Sequence, residues 1–312
     1  MSSGETTHST TKVPLIGMIC GLIGGASFGL ITPLSPLANE AGSSPLNITI
    51  IRFLLGTALM SFLLIGARIS FHVPRDKWIP LFFMGLFIFT VTVFYLSAVV
   101  YIPVSLAAIL FYTYPIIVTI IDPLLRRKMP SLIQLGLSLL AFAGIAIAMG
   151  PSLNGLDWRG LGFVALAALS ISGTLIISRQ VVSLVNNFAV VFYVNIIALI
   201  LCVPYFLISR SFDTSEAFNF TTLKNIVLSG SQSGFYYAAI IAGLYLLATL
   251  AQISTVRYVG PSRTAMFFNI EPIVTILAAV IILGENLTSP QTAGALCVLS
   301  AVAISCYRPV RA

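Results

Sequence analysis

Glu271 and Arg52 lie inside apolar stretches long enough to cross a bilayer. A carboxylate at the middle of a span is expensive unless it is neutral, paired or facing water. Glu271 therefore reads either as a protonatable group that couples solute movement to a proton gradient or as a local structural device. In the second case Pro272 removes a backbone donor, and a protonated Glu271 bonds the freed carbonyl of Phe268. Arg52 sits about two turns from the end of its stretch. It either snorkels to the interface or meets an anionic solute or a gate.

Polar side chains recur at helical spacing around these two. Ser105, Tyr112 and Thr119 are seven residues apart, and Ser262 and Asn269 repeat that spacing. Thr92 and Tyr95 share one helical face, as do Tyr245, Thr249 and Gln252. Polar groups facing lipid are costly, so these stripes turn inward, to line a cavity or to bond one helix to another. Pro115 and Pro272 each delete a backbone hydrogen bond within an apolar span, which predicts kinks and candidate hinges there.

The elements that carry these residues follow from composition. Of 312 residues 58% are hydrophobic and 8% charged, where a soluble domain has about 25% charged. With about 20 residues per crossing, the apolar runs near 14–38, 46–67, 78–99, 102–122, 131–150, 159–181, 188–208, 233–256, 260–283 and 290–307 predict ten helices, an all-α integral membrane fold. Too little chain remains for an appended catalytic or nucleic-acid-binding domain. The net charge of +7 is scattered through short loops rather than gathered on a face, which argues against nucleic acid as a partner. Cys20, Cys202, Cys297 and Cys306 form no CxxC pair, and His8 and His72 lie outside the spans. No metal site or cofactor is expected, and an intramembrane enzyme lacks a nucleophile with its base.

Lys and Arg set the orientation. With the N-terminus inside, the inner segments hold Lys12, Arg68, Arg75, Lys77, Arg126, Arg127, Lys128, Arg179, Arg257, Arg263, Arg308 and Arg311, against Arg159, Arg210 and Lys224 outside. Both tails, 1–13 and 308–312, are then cytoplasmic. The long connection at 209–229 is external, with a short surface helix expected around 221–229. Asn47, Asn219 and Asn286 stand in N-x-T triplets on the outside, but triplets beside short loops are poor glycosylation acceptors.

The segment Tyr101–Ile116 aligns without gaps on Tyr258–Ile273, an offset of 157 residues, with identities at Tyr101/Tyr258, Ser105/Ser262, Ala108/Ala265, Phe111/Phe268, Pro115/Pro272 and Ile116/Ile273. At the same offset Thr92 meets Thr249, Ser97 meets Ser254 and Gln134 meets Gln291. A five-helix unit is duplicated, residues 14–150 and 151–307. Because five is odd, the second copy enters the membrane from the opposite side, and the loop charges invert as required: Arg126-Arg127-Lys128 after the fourth span, Gly284-Glu285-Asn286 after the ninth. Inverted repeats of this kind mark secondary transporters. Gly17, Gly21, Gly25 and Gly29 form a small-residue seam on the first helix, and Ala293, Cys297, Ala301 and Ser305 a second on the last.

The Glu271-Pro272-Ile273-Val274 stretch, Leu283-Gly284-Glu285, Arg52-Phe53-Leu54-Leu55 and Gly24-Gly25-Ala26-Ser27-Phe28 resemble recurrent segments of the drug/metabolite transporter superfamily, EamA-like branch. The likeness spans nearly the whole chain. It departs at Ile23, where the family often has Trp. The resemblance implies ten helices in two inverted repeats and a cavity between helices 1, 3, 4, 6, 8 and 9, which adds Ser27 and Ser172 to the candidates. The expected activity is a secondary carrier that exports a small metabolite, such as an amino acid, across the cytoplasmic membrane by alternating access. Lipid-linked cargo and a channel are the alternatives. The expected partners are a small-molecule substrate and the bilayer, with the chain acting as a monomer or homodimer.

Overall fold

The computed structural model describes residues 14–41, 45–150, 157–209, 232–283 and 287–307. The surface helix expected around 221–229, the long external connection, His8, and the triplets at Asn219 and Asn286 lie outside them. The helices are α1 (Leu15–Glu40), α2 (Pro45–Gly66), α3 (Trp78–Tyr101), α4 (Val104–Phe111), α5 (Tyr114–Leu125), α6 (Leu132–Met149), α7 (Trp158–Val182), α8 (Asn187–Ser209), α9 (Gln232–Val259), α10 (Pro261–Phe268), α11 (Glu271–Leu283) and α12 (Ser289–Tyr307). Among the described residues nine helical stretches are long and apolar enough to cross a membrane, and α8, with the apolar run Asn187–Cys202, is the remaining crossing. The fourth crossing is α4 with α5, and the ninth is α10 with α11.

Helix pairing follows the duplication. α1 packs chiefly on α9 and α3 on α7, while α6 pairs with α12, α2 with α8 and α5 with α10. Counted as crossings these are 1 with 8, 3 with 6, 5 with 10, 2 with 7 and 4 with 9. Exchanging the two repeats maps this set onto itself, as a pseudo-twofold axis requires. The repeats run in opposite directions. Ser262, at the start of the ninth crossing, lies 3.4 Å from Asp122, at the end of the fourth. Any Cβ on Gly17, at the start of α1, would meet Val259 at 2.7 Å. The start of α1, the α9–α10 turn and the end of α5 therefore share one end of the bundle, called the near end below.

Short polar and conformational signals set the element limits. Gly260, at φ +80°, lets the chain reverse between α9 and α10, and Pro261 opens α10 at a position that needs no amide donor. Arg127, at φ +55°, ends α5, and the Lys128 amide donates to the Pro123 carbonyl at 2.9 Å. Asp157 caps α7 by accepting from the Arg159 amide at 2.9 Å. The Arg159 guanidinium also bonds that carboxylate and holds it below the usual carboxylate range.

The fourth and ninth helices break rather than bend. α4 ends at Phe111 and α5 resumes at Tyr114; α10 ends at Phe268 and α11 resumes at Glu271. The interruptions, 112–113 and 269–270, stand 157 residues apart. Each proline is the second residue of the resumed half-helix, where the missing amide removes no intrahelical bond. The glycine seam of α1 seats the second break. A Cβ on Gly29 would stand 2.5 Å from the Glu271 carbonyl, and the Thr275 hydroxyl donates to the Gly29 carbonyl at 3.0 Å. On the last helix the close approach is centred on Gly294, which faces Gly144 of α6 with Cys297 beside it.

Candidate functional site

A cavity of about 360 Å³ opens between the repeats. α3 contributes Thr92 and Tyr95, the fourth crossing Ser105 and Tyr112, and α9 Tyr245, Thr249 and Gln252. Arg52 comes from α2, and Glu271, Pro272 and Thr275 come from α11. Apolar walls are supplied by Phe28, Ile31, Ile88, Phe111 and Phe268, among others. Thr32 late in α1, Thr49 early in α2, Val104 at the start of α4 and Met149 at the end of α6 also line it. All four belong to the far end of the bundle, and Val104 is 64% exposed. The cavity therefore reaches the far end.

The two ionisable residues mark separate poles. Glu271 is half-buried at the first residue of α11, where its negative charge suits the positive end of the helix. The Tyr112 hydroxyl faces its carboxylate, with Tyr95 and Tyr114 close by. Because the helix breaks before Pro272, the expected kink with its freed Phe268 carbonyl is replaced by a new helix start. The second pole is Arg52, whose guanidinium carbon lies 4.2 Å from the centroid of Tyr245 and 4.9 Å from that of Phe53. Among the described residues no ion pair joins Arg52 to Glu271.

Several residues of the polar stripes stand outside the cavity. The Ser27 hydroxyl donates to the Ile23 carbonyl at 2.8 Å within its own helix. Ser172 donates to the Ala168 carbonyl at 2.7 Å and reaches Tyr114 across the α7–α5 contact. Asn269 is buried in the second helix break, its amide 3.6 Å from the Met266 sulfur. Thr119 pairs with Ser138 of α6 at 3.3 Å, and Ser262 bonds toward α5. Of these, Thr119, Ser172 and Ser262 bond across to another helix, whereas Ser27 and Asn269 bond within their own crossing. Pro115 is buried at the start of α5 and does not line the cavity either.

A residue that sequence reasoning passed over closes the near end. Asp122, 3% exposed, accepts from Arg126 Nη2 at 2.9 Å and from the Ser262 hydroxyl at 3.4 Å, and lies 3.7 Å from Arg179 Nη1. These groups come from α5, α7 and α10, so one carboxylate ties the first repeat to two helices of the second. Next to it the Arg257 guanidinium donates to the Val185 carbonyl at 2.6 Å, and Asn187 donates to Ser254 at 2.9 Å. Met266 and Phe267, both buried, follow Ser262 along α10 before Phe268 reaches the cavity wall. The signal in the sequence is an aspartate at the end of the apolar run 102–122, four residues before Arg126.

The comparisons agree with this architecture. The model of the EamA-like transporter family matches residues 15–150 and again 158–307, one match to each five-helix unit. No curated protein matches significantly. One chain of known crystal structure superposes with a TM-score of 0.70 at 15% sequence identity, over 92% of this chain and 97% of that one, which shows a shared fold. The two family matches leave only the tails and a short linker uncovered, and the chain belongs to the EamA-like transporter family of the drug/metabolite transporter superfamily, membrane transporters of small solutes.

Proposed function

We propose that this protein is a secondary carrier that exports a small polar or amphipathic metabolite, such as an amino acid, across the cytoplasmic membrane by alternating access. The observation that carries the reading is a cavity walled by both repeats and lined by no residue of the Asp122 cluster. Such a cavity changes sides when one repeat rocks on the other, whereas a channel needs a continuous path. The distribution of Lys and Arg supports a cytoplasmic near end, and on that reading this conformation faces outward. Glu271 is the candidate coupling group, since water in the cavity gives its carboxyl a route for protons. Pro115 and Pro272 are the candidate hinges, each opening a half-helix beside a break.

Counterflow tests the reading. Liposomes holding the protein and loaded with an unlabelled amino acid should transiently accumulate the same labelled compound for at least one of the aromatic, branched-chain or acidic amino acids. A carrier gives this overshoot because outward and inward trips share one site. Non-saturable leak without overshoot for all three classes contradicts it.

A further inference from the structure

Arg52 poses a problem that the carrier reading leaves unsolved. An arginine remains charged in a protein, and this one projects from a membrane-spanning helix into the cavity wall. Its Nε is buried without a hydrogen-bond partner among the described residues. Among the described residues no carboxylate lies within ion-pairing distance. The contacts it does make are with the rings of Tyr245 and Phe53. Cation–π contacts are weak beside the desolvation that a buried charge meets. Snorkelling to lipid headgroups does not describe this geometry, since the guanidinium stacks against Tyr245 of α9.

The stack has a second consequence. Tyr245 is held in edge contact with both Phe28, at 6.0 Å, and Phe53, at 5.9 Å. The rings offer no lone pair to the guanidinium N–H groups, which are left for a further partner. A planar oxyanion matches that fork with two parallel hydrogen bonds. Glu271 does not fill the position, because its carboxylate faces Tyr112 at the other pole.

We infer that Arg52 is the oxyanion subsite of the cavity, so that the transported solute carries a carboxylate or a comparable planar oxyanion that docks against the Arg52 fork, with its remainder reaching toward Glu271. This rests on the reading that the cavity holds the cargo. Such a solute neutralises Arg52, whereas a neutral solute leaves it uncompensated and a cation adds to it.

Matched acid and amide pairs test the subsite on the purified full-length chain. The probes are 3-phenylpropionate against 3-phenylpropionamide, hexanoate against hexanamide, and N-acetylphenylalanine against its amide, with affinities read from the concentration dependence of Tm. At least one acid should bind about tenfold or more tightly than its amide. Arg52→Gln should erase that preference, and Arg52→Lys, which keeps the charge but not the fork, should retain part of it. The wild-type acid-to-amide ratio stands on its own if a variant does not fold. No acid preference in any pair, or a preference that survives Arg52→Gln, overturns the subsite. Flux of the same probes into liposomes separates this from the carrier reading. Saturable flux with equal acid and amide binding refutes the subsite alone, and acid-selective binding without saturable flux refutes the carrier alone.

Discussion

Asp122 of the first repeat accepts a hydrogen bond from Ser262 of the second at 3.4 Å and stands 3.7 Å from Arg179, joining the fourth, sixth and ninth crossings at the closed end of the cavity. Charge-assisted contacts across a moving interface favour the state in which they are formed. Asp122→Asn keeps a similar shape and removes the charge, so it should shift the protein toward the conformation open at the near end. A loss of about 1.4 kcal/mol corresponds to a tenfold shift in population. Distances between spin labels at Arg127 and Arg257 should lengthen in the variant. Unchanged distances would show that the cluster is not a lock.

Glu271 is expected to act in coupling, because it lies on the cavity wall at the start of a half-helix. Gln keeps the shape and a donor but cannot release a proton. Glu271→Gln should retain solute exchange near the native rate and lose accumulation driven by a pH gradient. Glu271→Leu, which removes the polar head facing Tyr112, should lose both. Gradient-driven accumulation by Glu271→Gln at the native rate would reduce Glu271 to a structural role.

Replacing both Pro115 and Pro272 with Ala supplies an amide donor at the second residue of each half-helix. The restored donors can bond the carbonyls of Phe111 and Phe268 and draw each pair of half-helices into one. The double variant should bind solute within about twofold of the native affinity and turn over at least tenfold more slowly, a loss of about 1.4 kcal/mol in the rate-limiting step. Unchanged turnover would show that the breaks are static.

The fold was legible because its signals are long. Ten apolar runs, the unbroken alignment of Tyr101–Ile116 with Tyr258–Ile273 and the inverted charges at Arg126–Lys128 and Gly284–Asn286 all survive errors of a residue or two. Much of the cavity was legible as well, since Thr92, Tyr95, Tyr112, Tyr245, Thr249, Gln252, Arg52 and Glu271 do meet there. Small hydroxyls were less readable. Ser27 and Ser172 turn back onto carbonyls four residues earlier, an option open to any helical serine. Asn269 vanished into a helix break because a proline pattern does not separate a kink from an interruption. Asp122 was missed because its partners Arg179 and Ser262 come from the other repeat, and helical periodicity within one span carries no record of them.

A cavity that opens alternately to the two ends must be reachable from each end in turn and never from both at once, which reciprocal accessibility reads. With Cys20, Cys202, Cys297 and Cys306 replaced, a single cysteine is placed at Thr249 on the cavity wall and challenged with an impermeant maleimide from each side of oriented vesicles. The account predicts labelling from the far side in the otherwise native chain. Adding Asp122→Asn should raise labelling from the near side and lower it from the far side. Labelling that rises from both sides together, or never reaches Thr249 from the near side, would contradict alternating access.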